Sequence, residues 1–365
     1  MKIGIDASNI RTGGGKNHLL KFMNFSLELD KNISFILVSN KKINDEFANN
    51  ARVVCITNSF LNSFNFFSFI SQLFFSKKYF KSNNCDFVFV PGGIFLSSFR
   101  PFYTMSQNML PFDLKELRGF SYFNKLKFRI VRFLQTFTFR KSNGIIFLTD
   151  YAKEKIQIST GIYNKSRVIP HGIIQQINNN YTYANKAFNI LYVSDFLPYK
   201  HNFNVVKAVS ELILDGVDIE LNLVGRKDKK EHIKIKKLIN SNFLFKEKIK
   251  ILGLLDYNQV VKYYKKCTLF LFASTCENLP FIVLEAMSFG LPIISSDKQP
   301  MNNIINGEDV FFNSYDTNSI KKAILNNMTQ EKLLNLSKKN FTSSKQYTWR
   351  NNVINTLEFF YENKN

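Results

Sequence analysis

Cysteine, proline and glycine are all scarce in this chain of 365 residues, at four, eight and fifteen copies. The four cysteines, Cys55, Cys85, Cys267 and Cys276, lie 30, 182 and 9 positions apart, which fits neither a zinc site nor a disulfide framework. They read as reduced thiols of a cytoplasmic protein, and no metal ligand set is expected. So little proline and glycine excludes a collagen-like or linker-like chain, and 45% hydrophobic with 15% aromatic residues excludes a disordered one. Long apolar runs are also missing. The longest, FLNSFNFFSFISQLFF at 60–75, is broken by Asn62, Ser63, Asn65, Ser68, Ser71 and Gln72 and falls short of the ~20 apolar residues that span a bilayer. The start, MKIGIDASNI, enters a strand-like pattern at once, so no secretion signal is expected.

Acidic residues are outnumbered, 28 against 49 Lys and Arg, for a formal charge of +21. Abundant Lys, Asn, Phe and Ile together also follow from AT-rich coding, so the total says less than the distribution. Residues 1–180 hold 24 basic and 10 acidic residues, whereas residues 181–365 hold 25 and 18. The excess is concentrated in the first half.

What is present is a rhythm. Short apolar runs (KIGIDAS, SFILVSN, RVVCIT, DFVFVPG, GIIFLTD) alternate with helical patterns, the first helix starting near Asn17. After the polar stretch IIQQINNNYTYANKAFN the rhythm restarts with ILYVSD, IELNLVG, KIKILG, CTLFLFAS and PIISSD. Continuous apolar strands between helices mean parallel sheets covered on both faces. The expectation is α/β, with two doubly wound Rossmann-like domains joined near 173–187. The first spans 1–175 and the second 186–345, and an amphipathic helix over 346–365 is a candidate to pack back on the first. Ligands in such sheets bind beyond the carboxyl ends of the strands, which places the chemistry in a cleft between facing domains.

One stretch, ASTCENLPFIVLEAMSFGLPIISSD at 273–297, sets Glu277 and Glu285 inside a segment otherwise built for burial. The strand ends near Ser274, Pro280 suits a first helical turn, and Gly290 suits the helix end. Glu277 is therefore placed in the strand-end loop and Glu285 on the helix. A helix start attracts a diphosphate, and a carboxylate accepts hydrogen bonds from vicinal ribose hydroxyls. Together they describe a nucleotide-sugar site. An isolated glutamate pair is more often a cap and a solvent-facing residue, and a glycosidase acid and base pair is a further alternative whose carboxylate spacing no sequence fixes.

ENLPFIVLEAMSFGLPII resembles the signature of retaining glycosyltransferases of the GT-B fold, family 4, which transfer a sugar from a nucleotide-diphosphate donor without an obligatory metal ion. The resemblance implies that Glu285 holds the ribose. It also implies that Glu277 contacts the donor sugar and supports positive charge at its anomeric carbon. Asn278, Leu279 and Pro280, at the helix start that suits a diphosphate, are candidate donor-binding residues. ILYVSDFLPYKHNFNVVKAV resembles the family segment carrying the diphosphate lysine, here Lys200, a point charge on the leaving group. Two departures stand out: Asp195 or its neighbours where relatives carry arginine, and His201 where glycine is frequent. Arg226, after LNLVG, is the candidate second cation.

In the first domain, DASNIRTGGGKNHLL sets Gly13, Gly14 and Gly15 between strand and helix, where a backbone can approach a ligand closely. It is neither a dinucleotide fingerprint nor a P-loop. The resemblance puts this loop near donor phosphates and acceptor. TMSQNMLPFDLKEL resembles a stretch of bacterial surface-polysaccharide transferases in which many relatives carry a histidine, and this chain has Gln107 and Asn108. An amide cannot act as a general base, which favours proton transfer to the leaving phosphate itself. Domain closure is expected to bring these groups onto the donor. His171, in VIPHGI, reads as structural.

Between 51 and 141 there are 13 basic and 3 acidic residues interleaved with phenylalanines, a composition suited to an anionic membrane surface. A solvated basic helix over core phenylalanines fits the same residues, and nucleic acid ranks lower because no recognition module is visible. The expected partners are therefore a nucleotide sugar, a glycan or polyprenyl-linked acceptor and the inner face of the cytoplasmic membrane, with no nucleic acid and no cofactor beyond the donor. A catalytically inactive binding protein of this fold and a nucleotide-sugar epimerase stand as alternatives.

Overall fold

The computed structural model describes residues 1–63, 65–179, 181–182 and 188–363. The chain divides into two compact units: Met1–Phe112 with Tyr122–Gly172 and Tyr347–Asn365, and Asp113–Ser121 with Ile173–Gln346. The division therefore falls at Gly172/Ile173. Within the joining stretch expected at 173–187, residues 180 and 183–187 lie outside the described residues. The sequence reading put 113–121 in the first domain, and the structure corrects this. Glu116 is bonded to side chains of the second unit, and Gly119 lies against Pro198 so closely that a Cβ there would sit 2.4 Å from the proline ring.

The first unit is built on β1 (Lys2–Asp6), β2 (Ser34–Val38), β3 (Val53–Ile56), β4 (Phe87–Val90), β5 (Phe102–Met105), β6 (Gly144–Phe147) and β7 (Ser166–Val168). They form one sheet in the order β3-β2-β1-β4-β5-β6-β7, parallel at every pairing. Burial on both faces explains why β4 and β6 read as unbroken apolar runs, FVFV and GIIF. The order reverses between β1 and β4, so that gap at the strand ends is where this topology opens.

Residues at the end of the chain complete this unit. In the helix Trp349–Glu362, Phe360 packs its ring 5.0 Å from Phe87, 5.2 Å from Phe89 and 4.8 Å from Tyr103. Tyr103 donates its hydroxyl to the carbonyl of Asn363 at 2.6 Å. Gly144 is required at its place, since a Cβ would stand 2.7 Å from the Phe359 ring.

The second unit carries β8 (Phe188–Val193), β9 (Ile219–Val224), β10 (Ile249–Gly253), β11 (Leu269–Phe272), β12 (Ile293–Ser296) and β13 (Phe311–Phe312). Their order is β10-β9-β8-β11-β12-β13, again all parallel. Here the reversal lies between β8 and β11. Both units are thus Rossmann-like, and the second places the loops after β8 and β11 side by side.

Candidate functional site

Lys200 ends a short 3-10 turn, Pro198–Lys200, in the loop after β8, and Glu277 lies in the loop after β11. The switch point of the sheet brings them together although 77 positions separate them: Lys200 Nζ donates to Glu277 Oε1 in a short ion pair. Both side chains are largely enclosed, 11% and 14% exposed. The ammonium also stands 5.0 Å from the Tyr199 ring and 5.3 Å from that of Phe272, over their electron-rich faces. Burial pulls the Lys200 ammonium toward neutrality, but Glu277, then Tyr199 and Tyr192, more than offset it, and the lysine is held above its ordinary value. The ammonium is therefore kept charged in a confined space.

Glu285 sits in the helix Phe281–Ser288, which starts at Pro280 without a side-chain cap and stops at Gly290 in the left-handed conformation. Asn278, Leu279 and Pro280 are buried beneath that start. The Tyr264 hydroxyl donates to Glu285 Oε2 at 3.4 Å. Burial pushes the Glu285 carboxyl up to about 7, opposed only in part by that hydrogen bond. A cap and a solvent-facing carboxylate do not describe these two glutamates. One is ion-paired, and the other is buried enough to titrate near neutrality.

Arg226 follows β9, and its guanidinium grips Asp195, Nη2 to Oδ2 at 2.7 Å and Nε to Oδ2 at 3.1 Å. Its backbone N–H also donates to Asp195 Oδ1 at 3.0 Å. This approach depends on Gly225, at φ +151°, where a Cβ would stand 1.9 Å from the Ser194 carbonyl oxygen. The candidate second cation is therefore mostly exposed and already neutralised by the residue that marked a departure from the family pattern.

His201, the other departure, has φ +52°, a left-handed conformation that glycine meets without strain. Its ring is held by Thr275, Nε2 to Oγ1 at 3.1 Å, and stands edge-on to Tyr315 at 4.6 Å. Glu116 completes this cluster, accepting from Thr275 Oγ1 at 2.5 Å and from the Tyr315 hydroxyl at 2.7 Å. Thr275 is two residues before Glu277, so Glu116 braces the loop that carries the carboxylate. Sequence reasoning missed Glu116, Thr275, Tyr315 and Tyr264. The wide sequence separations of Glu116 from its partners left no local signal.

The first unit holds the other candidates. Its first helix runs Gly13–Leu29 and begins four positions before the expected start, so Gly13, Gly14 and Gly15 are its first turn rather than a preceding loop. Thr12, the cap position, makes no side-chain bond to the helix. Gln107, after β5, donates Nε2 to the Pro91 carbonyl at 3.0 Å, and its Oε1 lies 3.6 Å from where a Cβ of Gly15 would stand. The structure thus gathers Gln107 with the glycines, and Lys200 with Glu277. His171 is buried, its Nδ1 3.1 Å from that of His18.

Comparison with known proteins agrees with this layout. Residues 174–343 match the family model for glycosyl transferases group 1. An uncharacterized glycosyltransferase of Methanocaldococcus jannaschii is 25% identical over 239 residues, 63% of each chain. The serotype-specific mannosyltransferase WbdA of Escherichia coli is 24% identical over 221 residues, 59% of this chain and 27% of that protein. The chain thus matches less than two thirds of the length of either relative. Among solved structures, sucrose-phosphate synthase from Thermosynechococcus elongatus aligns with a TM-score of 0.78 at 14% identity, covering 99% of this chain and 98% of that one. Anabaena HepE in complex with UDP-glucose gives 0.73 at 14% identity, covering 99% and 100%. At such identities the likeness establishes the fold, the pair of Rossmann-like domains called GT-B. The span matched by that family model, residues 174–343, holds Lys200, Arg226, Glu277 and Glu285.

Proposed function

We propose that the protein transfers a sugar, with retention and without a metal ion, from a nucleotide-diphosphate sugar to a glycan or polyprenyl-linked acceptor of a bacterial surface polysaccharide. The observation that carries the reading is the enclosed Lys200–Glu277 pair at the switch point of the second sheet, beside the start of the helix bearing Glu285. Support for the donor class comes from relatives whose names record sugar transfer and from HepE, solved with UDP-glucose.

In this mechanism the donor diphosphate competes with Glu277 for the Lys200 ammonium. Once Lys200 turns to the phosphates it stabilises charge gathering on the leaving group. Glu277, released from its partner, faces the donor sugar and stabilises the positive charge developing at the anomeric carbon. Glu285 accepts the ribose hydroxyls, and Asn278, Leu279 and Pro280 line the helix start on the phosphate side. Arg226 joins the phosphates by exchanging Asp195 for them. Gly13, Gly14 and Gly15 serve the donor phosphates and the acceptor, and with the Gln107 amide in place of a base the leaving phosphate oxygen takes the acceptor proton.

A thermal-shift titration with UDP, GDP and their sugar conjugates tests the donor site, on the native protein and on Glu285→Gln. Saturation to ~100 times the dissociation constant stabilises a folded protein by about 2.7 kcal/mol. The expected result is a shift with one nucleotide family that shrinks in the variant, followed by product of unchanged anomeric configuration by NMR. No shift with any nucleotide would favour an inactive binding protein, and donor converted without acceptor would favour an epimerase.

A further inference from the structure

Two neighbouring elements of the first unit are inside out. The helix Tyr122–Lys141 buries Gln135 and Thr138 beside one aromatic, Phe139, while Phe123, Leu126, Ile130, Phe133 and Phe137 are 81%, 43%, 51%, 70% and 39% exposed. At 100° per residue those five fall within an arc of about 80°. The same arithmetic puts Lys127 and Lys141 along one border of the stripe and Arg129 and Arg140 along the other. No acidic residue occurs in the helix. In the π-helical turn Gln72–Ser76, Gln72 and Ser76 point inward to Asp6, while Leu73 and Phe74 are 53% and 73% exposed and Lys77 and Lys78 follow.

These elements are not loosely attached. Gln72 donates Nε2 to the Ile94 carbonyl at 2.9 Å and accepts from the Leu96 N–H at 3.2 Å, and the Phe95 N–H donates to Thr138 Oγ1 at 2.9 Å. One buried loop after β4 therefore anchors both, by polar groups, and leaves most of their apolar residues outward, Phe139 being the buried one. Soluble helices place these residues the other way round. No helix among the described residues is long and apolar enough to cross a membrane.

From this we infer that the two elements form an in-plane docking surface for an anionic lipid bilayer, with the stripe of Tyr122–Lys141 entering the headgroup boundary and its bordering cations on the lipid phosphates. A second copy of the chain would set six cations against six. A nucleic acid would meet the cations with its phosphates but leave Leu126 and Ile130 without a partner. An anionic lipid surface satisfies both the charge and the apolar area.

The test is co-sedimentation of the full chain with phosphatidylcholine vesicles and with mixed phosphatidylcholine–phosphatidylglycerol vesicles. Binding is expected to the mixed vesicles only and to weaken with salt. Phe123→Ser with Phe133→Ser should lower partitioning roughly tenfold or more. Lys127→Gln with Arg129→Gln should lower it roughly 25-fold, about fivefold for each charge. All four residues are exposed, so melting temperature and donor-induced shift should be unchanged, which separates this surface from the donor site. The inference is overturned by no binding to the mixed vesicles or by serine variants that bind like the parent. It is equally overturned by a dimer that the serine changes dissolve, or by duplex DNA binding in place of vesicle binding.

Discussion

Lys200 and Glu277 show what a single residue contributes beyond its type. Each alone would be a costly buried charge, and together they are a neutral pair poised to separate. Lys200→Met strands the carboxylate and is expected to cost about 3–5 kcal/mol, as removing one member of a buried pair does. Adding Glu277→Leu should recover much of that stability without recovering donor binding, a comparison read by urea unfolding and nucleotide titration. Glu285 carries a second prediction. With its carboxyl up to about 7, ribose recognition by the ionised form should strengthen as pH rises from 6 to 8, and Glu285→Gln should flatten that profile. The two glutamates were legible because both stand inside one short apolar segment. The Lys200 pairing and the Glu116 brace were not, because only the parallel topology brings such distant positions together. Arg226 was legible as a strand-end cation, but its capture by Asp195 depends on a glycine backbone conformation that no side-chain pattern encodes.

At the scale of elements, alternation of apolar strands and helices was enough to anticipate two parallel sheets, since burial on both faces leaves a continuous mark. The first helix start was misplaced because three glycines read as a loop, whereas here they form the opening turn. The segment Asp113–Ser121 follows directly on first-unit residues in sequence, and its place in the second unit rests on the bonds of Glu116 and on the packing of Gly119 against Pro198 and Phe120 against Tyr199. Trp349–Glu362 shows how much one returning helix carries. Phe360 touches Phe87, Phe89 and Tyr103 at the centre of the first sheet. Phe360→Ala should cost about 3–5 kcal/mol by transfer and cavity terms together. The unfolding midpoint of the first unit should fall accordingly, measured by denaturant titration followed through Trp349, which belongs to that unit.

For the whole molecule, the two units carry buried titratable groups whose effects on stability have opposite signs. In the first, His18 and His171 share a hydrogen bond in a buried site beside Trp349. Burial pulls His18 down to about 3, and burial together with His18 pulls His171 well below its ordinary value. Below pH 6.5 the unfolded chain binds protons that the folded unit refuses, so stability is full above that value and drains as pH falls. In the second, folded Glu285 keeps its proton up to about 7 while the unfolded chain releases it near 4.5, so stability drains as pH rises through that interval. Each proton contributes a slope of about 1.4 kcal/mol per pH unit inside its window. Between pH 4.5 and 6.5 the windows overlap, and the contributions of His18 and Glu285 run in opposite directions. Buried Asp6, whose carboxyl burial raises, opposes the histidines within the first unit, so the variants rather than the parent isolate each effect. Calorimetry across this range should show His18→Gln losing a rise of stability with pH that the parent has, and Glu285→Gln losing a fall. Equal pH slopes in both variants and the parent would mean that neither group is held in the protonation state its burial implies.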